Sequence, residues 1–129
     1  MNRLVLGGIA CVALSLSAWS GALSAAESGK KAIETEQEFR DVVVEKRLSN
    51  KHGYSMVHED GTLTGDFGGK KLTGTWNWEG KYFCRTAKVG NKKFALNCQT
   101  ITVSGDKVTF GRNKGLGKKS KYRLEEPES

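Results

Sequence analysis

The sequence contains little proline, cysteine or histidine, and each shortage narrows what the chain can be. It has 1 proline, 3 cysteines and 2 histidines among 129 residues. A structural zinc site normally takes four ligands, and a dithiol redox site takes two cysteines at C-x-x-C spacing. Cys11, Cys84 and Cys98 nowhere approach that spacing, and only His52 and His58 could complete a zinc site. The sequence therefore disfavours both kinds of site.

Long hydrophobic runs are also missing, except for one at the N-terminus. Arg3 is followed by LVLGGIACVALSLSAW and then by small residues as far as Ala26. This order is typical of a secretory signal peptide cleaved after Ala26. Lipoprotein processing at Cys11 is the alternative, although Gly8 stands where an aliphatic residue is expected. We predict a signal peptide over 1–26, one small domain over 27–129 without a transmembrane segment, and a periplasmic or secreted location.

Removal of the signal peptide changes the number of cysteines and therefore their expected pairing. Cys11 is lost with it, and Cys84 and Cys98 remain in a basic domain with one proline, Pro127. Exported proteins fold in an oxidising compartment, where two cysteines form a disulfide. We therefore predict a Cys84–Cys98 disulfide that acts as a staple.

Motifs of the common enzyme classes are missing as well. GRNKGLGKKS has the wrong glycine spacing for a phosphate loop, and Lys119 stands where that motif needs Ser or Thr. GTLTGDFGG is not the dinucleotide-binding G-x-G-x-x-G. No Ser–His–Asp order suggests a catalytic triad, and His58-Glu59-Asp60 falls at a turn. We predict no catalytic residue, no metal site and no cofactor, and an enzyme is the third choice of function.

One helix is predicted near the start of the domain. Thr35 and Glu38 fit a capping box, in which each side chain satisfies a free backbone N–H of the first turn. Phe39, Val42 and Val43 follow at helical spacing. The prediction is an amphipathic helix over 35–45, with Phe39 and Val43 in its buried stripe.

After residue 46 the pattern changes to short alternating runs separated by turn dipeptides, which predicts antiparallel hairpins. Strands are expected at 54–59, 62–67, 71–78, 81–89, 93–103, 107–112 and 119–125. The fold class is mostly β (α+β): an antiparallel meander of about six to eight strands, strongly curled or closed into a small barrel, packed with one N-terminal helix.

Hairpin register predicts which residues lie opposite one another. A three-residue loop at 90–92 places Cys84 opposite Cys98. A turn at Glu79-Gly80 places Trp76 opposite Phe83. A turn at Gly105-Asp106 gives three further pairs, which are Val103 with Val108, Ile101 with Phe110, and Gln99 with Arg112.

These registers divide the strands between two faces. The apolar face is expected to carry Leu72, Trp76, Trp78, Phe83, Ala87, Val89, Ala95, Ile101, Val103, Val108 and Phe110. The other face is expected to carry Thr73, Thr75, Asn77, Thr86, Lys88, Thr100, Thr102, Thr109, both cysteines, Tyr82, Phe94 and Leu96. A slip of one residue would scatter the apolar set, so the pattern supports the meander.

A polar group interrupts the apolar face and is the candidate ligand-binding site. It consists of Arg85, Asn97, Gln99 and Arg112, flanked by Trp76. Guanidinium groups taken out of water need anionic or carbonyl partners, so in a curled sheet this group could hold a small anionic ligand. The alternative is an open sheet edge at which the same side chains bind loop carbonyls and water. Trp76 is either part of a stacking platform or part of the core.

The last strands are strongly basic and are the second candidate site. The full chain has a formal net charge of +7. The residues expected to bind polyanions are Lys114, Lys118, Lys119, Lys121 and Arg123. Such a surface attracts envelope polyanions or an acidic protein; nucleic acid is not expected as the partner of an exported protein. The alternative is an ordinary solvated surface.

The order LTGTWNWEGKYFCR, LNCQ, VTFGRNKGLG and YRL resembles a family of small exported alphaproteobacterial proteins. The resemblance covers about residues 35–125. Many members are labelled dihydrodipicolinate reductase, which implies a two-domain nicotinamide enzyme of the cytoplasm. The chain is too short for two domains and has no dinucleotide motif, so the resemblance implies a shared fold and not that activity.

The sequence therefore predicts a non-catalytic, exported binding module for an unidentified small anionic ligand or envelope component. An interaction protein that uses its basic strands is the alternative.

Overall fold

The computed structural model describes residues 29–127, in which nine strands and one helix form a single β-rich unit. The elements are β1 (Lys30–Ile33), α1 (Glu36–Val42), β2 (Arg47–Asn50), β3 (Gly53–Val57), β4 (Thr62–Phe67), β5 (Lys70–Glu79), β6 (Tyr82–Val89), β7 (Lys92–Ser104), β8 (Lys107–Gly111) and β9 (Lys119–Glu125). The predicted signal peptide lies outside the described residues.

Eight of these strands close into an antiparallel barrel. Each strand from β2 to β9 pairs with the next, and β9 pairs back with β2, where Leu48 lies opposite Leu124. Strand β1 adds to β7 beside the barrel, with Ile33 opposite Ile101. The predicted mostly β fold with one helix and a disulfide is confirmed, and the sheet is closed.

The strand that closes the barrel is one that sequence analysis did not predict. Strand β2 has the sequence RLSN and only one apolar residue, Leu48, which is 1% exposed. Alternation cannot be read from a single apolar position. Strand β1 (KKAI) was not predicted either, because its two apolar residues, Ala32 and Ile33, are adjacent and do not alternate.

The helix begins where it was predicted and ends earlier. The Thr35 hydroxyl accepts the Glu38 N–H at 3.2 Å, which is half of a capping box. The helix stops at Val42, because Glu45 adopts a left-handed backbone with φ of 64° and turns the chain into β2. Phe39 and Val43 are fully buried, as predicted.

Phe39 packs the helix against one end of the barrel. Its ring centroid lies 5.3 Å from that of Trp76, 5.2 Å from that of Trp78 and 5.1 Å from that of Phe83. Clustered aromatic rings bury a large apolar area for few ordered side chains. Both tryptophans of the WNW motif therefore pack against the helix.

The hairpin between β5 and β6 corrects one predicted register. Its turn is Gly80-Lys81, with Glu79 opposite Tyr82, so Trp76 lies opposite Arg85 and Trp78 opposite Phe83. The predicted Trp76–Phe83 pair was wrong by two residues. Because side chains alternate with a period of two, the error left every residue on its predicted face.

The hairpin between β6 and β7 contains a β-bulge that was not predicted. Its turn has two residues, because Val89 lies opposite Lys92 and Ala87 opposite Phe94. The register then shifts, so that Arg85 lies opposite Asn97 and Cys84 opposite Cys98. Between these pairs Thr86 faces both Ala95 and Leu96. The predicted cysteine pair is therefore right, but the three-residue loop is wrong.

The bulge also places Phe94 and Ala95 on the faces opposite to those predicted. Phe94 shares the inner face with Ala87, whereas Ala95 is exposed and Leu96 is 63% exposed. Ala95 had been assigned to the apolar face and Phe94 to the other. Both assignments were wrong, because a bulge reverses the alternation on one side of it.

The Cys84–Cys98 disulfide joins directly opposite residues, with their Cα atoms 3.9 Å apart. The bonded cysteines are 14 positions apart in the chain. Closing a loop of that length contributes about 3 kcal/mol in the chain-entropy account of disulfides. The bond holds β6 and β7 together just beyond the bulge.

Candidate functional site: a cationic cavity inside the barrel

The interior of the barrel contains a cavity of about 350 Å³. Its apolar lining residues are Leu48, Val57, Leu63, Phe67, Leu72, Phe83, Ala87, Val89, Phe94 and Phe110. Its polar lining residues are Ser55, Lys70, Arg85, Lys92, Gln99, Arg112, Ser120 and Tyr122. Cavities of about 300–1,000 Å³ with an apolar lining and a few polar groups are typical ligand sites.

The cavity is closed at the helix end and open at the opposite end. Phe83, which lines the cavity, is covered on the helix side by Phe39. Lys70 and Lys92 line the other end and are exposed. A ligand would therefore enter beside the turns at 68–69 and 90–91.

Arg85 is the most unusual side chain in the cavity. It is 9% exposed, and its Nη1 donates a hydrogen bond to the Ala95 carbonyl at 3.0 Å. No carboxylate within residues 29–127 forms an ion pair with it. Burial, and next the charge of Arg112, lower the pKa of Arg85. A buried guanidinium without a counter-charge is ready to accept an anion.

Gln99 also lies inside with its hydrogen-bonding capacity unused. It is 4% exposed and stands opposite Phe83 in the β6–β7 ladder. Its side-chain amide makes no hydrogen bond to any described residue. Its amide atoms are not sealed from solvent, so they are available to a molecule in the cavity.

Phe94 stands among three cations. Its ring centroid lies 5.9 Å from the guanidinium carbon of Arg85, 5.4 Å from that of Arg112 and 5.1 Å from the Lys92 nitrogen. Such contacts are favourable because the ring face is electron-rich. The ring therefore partly offsets the repulsion among like charges that the cavity brings together.

The charges of the lining all have one sign. Lys70, Arg85, Lys92 and Arg112 contribute four cations, and none of the described lining residues is acidic. Tyr122 adds no negative charge, and burial raises the pKa of its hydroxyl further above its usual value. A cavity with this lining attracts anions and repels cations.

Three of the five residues predicted to bind the ligand meet in this cavity: Arg85, Gln99 and Arg112. Asn97 instead closes a surface loop, because its Nδ2 donates to Asn113 Oδ1 at 2.7 Å and its Oδ1 accepts the Asn113 N–H at 3.0 Å. Trp76 packs on the helix, and its Nε1 donates to the His58 carbonyl at 2.8 Å. Neither Asn97 nor Trp76 lines the cavity, which corrects their predicted position.

Sequence analysis did not assign seven polar or aromatic lining residues to the cavity: Ser55, Phe67, Lys70, Lys92, Phe94, Ser120 and Tyr122. Tyr122 could have been found, since it alternates with the half-buried Leu124 on the predicted last strand. Phe94 could not, because the bulge left no signal in the hydrophobic pattern.

The basic residues near the C-terminus lie outside the cavity. Lys114, Lys118, Lys119, Lys121 and Arg123 are exposed. Arg123 forms an ion pair with Asp106 at 3.1 Å, and Lys114 lies 5.3 Å from the Tyr82 ring centroid. This outer surface is therefore separate from the cavity.

Two groups of residues have side chains of the types that bind metals, but these side chains already bond to one another or to neighbours. Glu79 lies beside Cys84 and Cys98, but sulfurs bonded to each other cannot act as thiolate ligands. His58 does not line the cavity, and its ring nitrogens lie 3.2 Å from Glu45 Oε2 and 2.6 Å from Thr64 Oγ1.

Comparison of the chain with family models, with curated proteins and with solved structures found no match. The resemblance to small exported alphaproteobacterial proteins therefore stays a prediction. The single helix of residues 29–127 is too short to span a membrane.

Proposed function

We propose that this protein is an exported, periplasmic binding module that holds a small anionic ligand inside its barrel. The observation that carries the proposal is Arg85, a buried guanidinium that faces a cavity and has no carboxylate partner among the described residues. A residue kept only for stability would not need an unpaired buried charge, which is costly. Binding an anion would supply the missing partner.

The cavity supplies further groups for the same purpose. Arg112 and Lys92 add positive charge near Arg85, and the Gln99 amide is free to donate. The low polarity of the surrounding walls strengthens each charge interaction relative to water. No lining residue pairs a nucleophile with a base, so the arrangement supports binding without catalysis.

The proposal is tested by thermal-shift titration of the disulfide-bonded protein with small organic carboxylates and inorganic phosphate. At least one of these anions is expected to raise the melting temperature. Arg85→Gln and Arg112→Gln are expected to abolish that increase. Arg123→Gln is the matched control, since it removes the same charge from the outer surface, and its response should equal that of the wild type.

The melting temperature of Arg85→Gln without ligand shows whether Arg85 is needed for folding or only for binding. Arg85→Gln removes a buried charge beside the half-buried Arg112 but also removes the hydrogen bond to the Ala95 carbonyl. These two effects oppose each other, so its melting temperature without ligand is expected to change little. A fall of several degrees, together with no response of the wild type to any anion, would show that Arg85 is structural and would refute the proposal.

The outer basic surface supports a second candidate function, which is binding to an envelope polyanion or an acidic protein. Lys118, Lys119 and Lys121 are exposed and form no ion pair with residues 29–127. Binding to heparin as a model polyanion should then weaken steeply with salt, and Lys119→Gln/Lys121→Gln should reduce the salt dependence. Binding that is insensitive to salt would exclude this function.

A further inference from the structure

The polar and apolar groups of the cavity are not mixed at random. Most hydrogen-bonding groups lie on the wall formed by β6 to β9 and the loop after β8, which contributes Arg85, Lys92, Gln99, Arg112, Ser120 and Tyr122. The same wall also contributes the apolar side chains of Phe83, Ala87, Val89, Phe94 and Phe110. The opposite wall, from β2 to β5, is mainly apolar and contributes Leu48, Val57, Leu63, Phe67 and Leu72. A ligand that matches both walls must itself be polar on one side and apolar on the other.

We propose that the ligand is an amphiphile with one anionic oxygen head group, such as a carboxylate, on an aliphatic body. The inference rests on the proposed anion-binding function and specifies its ligand class. The head group would lie between Arg85 and Arg112 and accept a hydrogen bond from the Gln99 amide. The aliphatic body would lie against Leu63, Phe67 and Leu72.

Hydrophilic anions match the polar groups of the cavity but not its apolar wall. Succinate or phosphate would satisfy Arg85 and Gln99 but would leave the leucine-rich wall facing water or empty space. A neutral lipid would have the opposite fault, because the Gln99 amide and the N–H groups of Arg85 that do not bind the Ala95 carbonyl would have no acceptor in the cavity. Only a molecule that contains both parts satisfies both walls.

The size of the cavity limits the apolar part to one short chain. Its volume of about 350 Å³ is at the lower end of the range of about 300–1,000 Å³ for small-molecule sites. A lipid with two acyl chains would not fit within it. The exposed Lys70 and Lys92 at the open end can attract the anionic head before it enters.

The test is isothermal titration of the disulfide-bonded protein with hexanoate, octanoate and decanoate. Each buried methylene contributes a nearly constant free energy, so affinity is expected to increase about fourfold per added methylene until the cavity is full. Succinate, inorganic phosphate and octan-1-ol are the partial ligands, each with one of the two required parts. Each is expected to bind at least tenfold more weakly than octanoate.

Octyl sulfate and octyl phosphate distinguish the head groups. If they bind as tightly as a carboxylate of equal chain length, the site recognises an amphiphilic oxyanion in general. If only the carboxylate binds, the head group is a carboxylate. Both results support an amphiphilic ligand, and the absence of any chain-length dependence from hexanoate to decanoate overturns it.

Two variants test the charge and the volume of the cavity separately. Arg85→Gln should weaken octanoate binding at least tenfold, and Arg123→Gln on the outer surface should not change it. Ala87→Leu fills part of the cavity without altering its charge, so it should block decanoate more strongly than hexanoate. If Ala87→Leu affects both chains equally, the chain does not occupy the cavity and the inference is wrong.

Failure of this inference can be told apart from failure of the proposed function. If phosphate or succinate binds in an Arg85-dependent manner and octanoate binds no tighter, the amphiphile is excluded while anion binding stands. If none of the anions binds, both are excluded.

Discussion

At the scale of single residues, the Glu45 side chain stabilises the turn at which the chain passes from α1 to β2. Its backbone is left-handed, with φ of 64°, which is uncommon for a residue other than glycine. Its Oε1 accepts the Glu59 N–H at 2.8 Å, and its Oε2 lies 3.2 Å from His58 Nδ1. These contacts hold the turn between α1 and β2 in place.

The same contacts make stability depend on pH. The Glu59 N–H, and then the contact with His58, lower the pKa of Glu45, while loss of contact with water, and more weakly the charge of Asp60, act in the opposite direction. A carboxyl with a lowered folded-state pKa contributes stability above its unfolded pKa, and this contribution is lost as pH falls through the folded pKa.

We therefore predict that Glu45→Gln lowers the free energy of unfolding at pH 7 and that this deficit shrinks as the pH falls from about 5 to 3, where glutamates become protonated. Urea unfolding at each pH measures both quantities. Glu34→Gln is the control, since Glu34 is exposed and its side chain has no partner within residues 29–127. A deficit that stays constant with pH would contradict the assignment.

Residue identity and alternation were enough to place Arg85, Gln99 and Arg112 together, and all three line the cavity. Arg85, Gln99 and Arg112 interrupt an otherwise apolar face, and a polar residue on such a face is visible in the sequence. Asn97 follows the same alternation but hydrogen-bonds to Asn113, because the loop after β8 folds back over β7. That loop conformation has no local signature.

At the scale of elements, the bulge in β7 connects the disulfide to the cavity. It turns Phe94 inward and places the Ala95 carbonyl within 3.0 Å of Arg85 Nη1. Bulges commonly re-aim side chains beside binding sites. Here the extra residue supplies an acceptor that a regular ladder would keep within the sheet.

Deletion of Leu96 tests this role. The ladders on both sides of the bulge can then join without a shift, so Cys84 should still lie opposite Cys98 and no free thiol should be titratable. Arg85 should lose its carbonyl acceptor, at a cost of about 1.5–3 kcal/mol for a hydrogen bond to a charged group. Urea unfolding of the oxidised protein measures this cost.

Leu96→Ala is the matched control for that deletion. The Leu96 side chain is 63% exposed, so its truncation keeps the bulge and should leave stability within about 0.5 kcal/mol of the wild type. Equal stabilities of the deletion and Leu96→Ala would mean that the Ala95 carbonyl contributes nothing to Arg85.

At the scale of the whole molecule, the barrel has one sealed end and one open end. Phe39 closes the first, in contact with Trp76, Trp78 and Phe83. Phe67 stands near the second, where it lines the cavity and is half-buried. The helix therefore packs on the outer side of Phe83, the ring that lines this end of the cavity, and forms part of the core.

Phe39→Ala should lower the free energy of unfolding by about 3–5 kcal/mol, because it leaves a hole among three rings that cannot close around it. Phe67→Ala makes the same change at the open end, where water already has access, and should cost clearly less. Tryptophan fluorescence during urea unfolding compares the two variants. Equal losses would contradict a barrel with one sealed end.

The sequence by itself determined the fold class, the seven longer strands, the helix start and the cysteine pair, since each depends on local alternation, capping or the count of cysteines. Only the tertiary structure decided that the sheet closes, because closure rests on β2, a strand with a single buried residue. It also decided which polar residues share the cavity, since a bulge and a returning loop move Phe94 and Asn97 away from the positions that alternation assigns. Local patterns report which face a side chain prefers, whereas closure and the contents of the cavity depend on pairings between residues far apart in the chain.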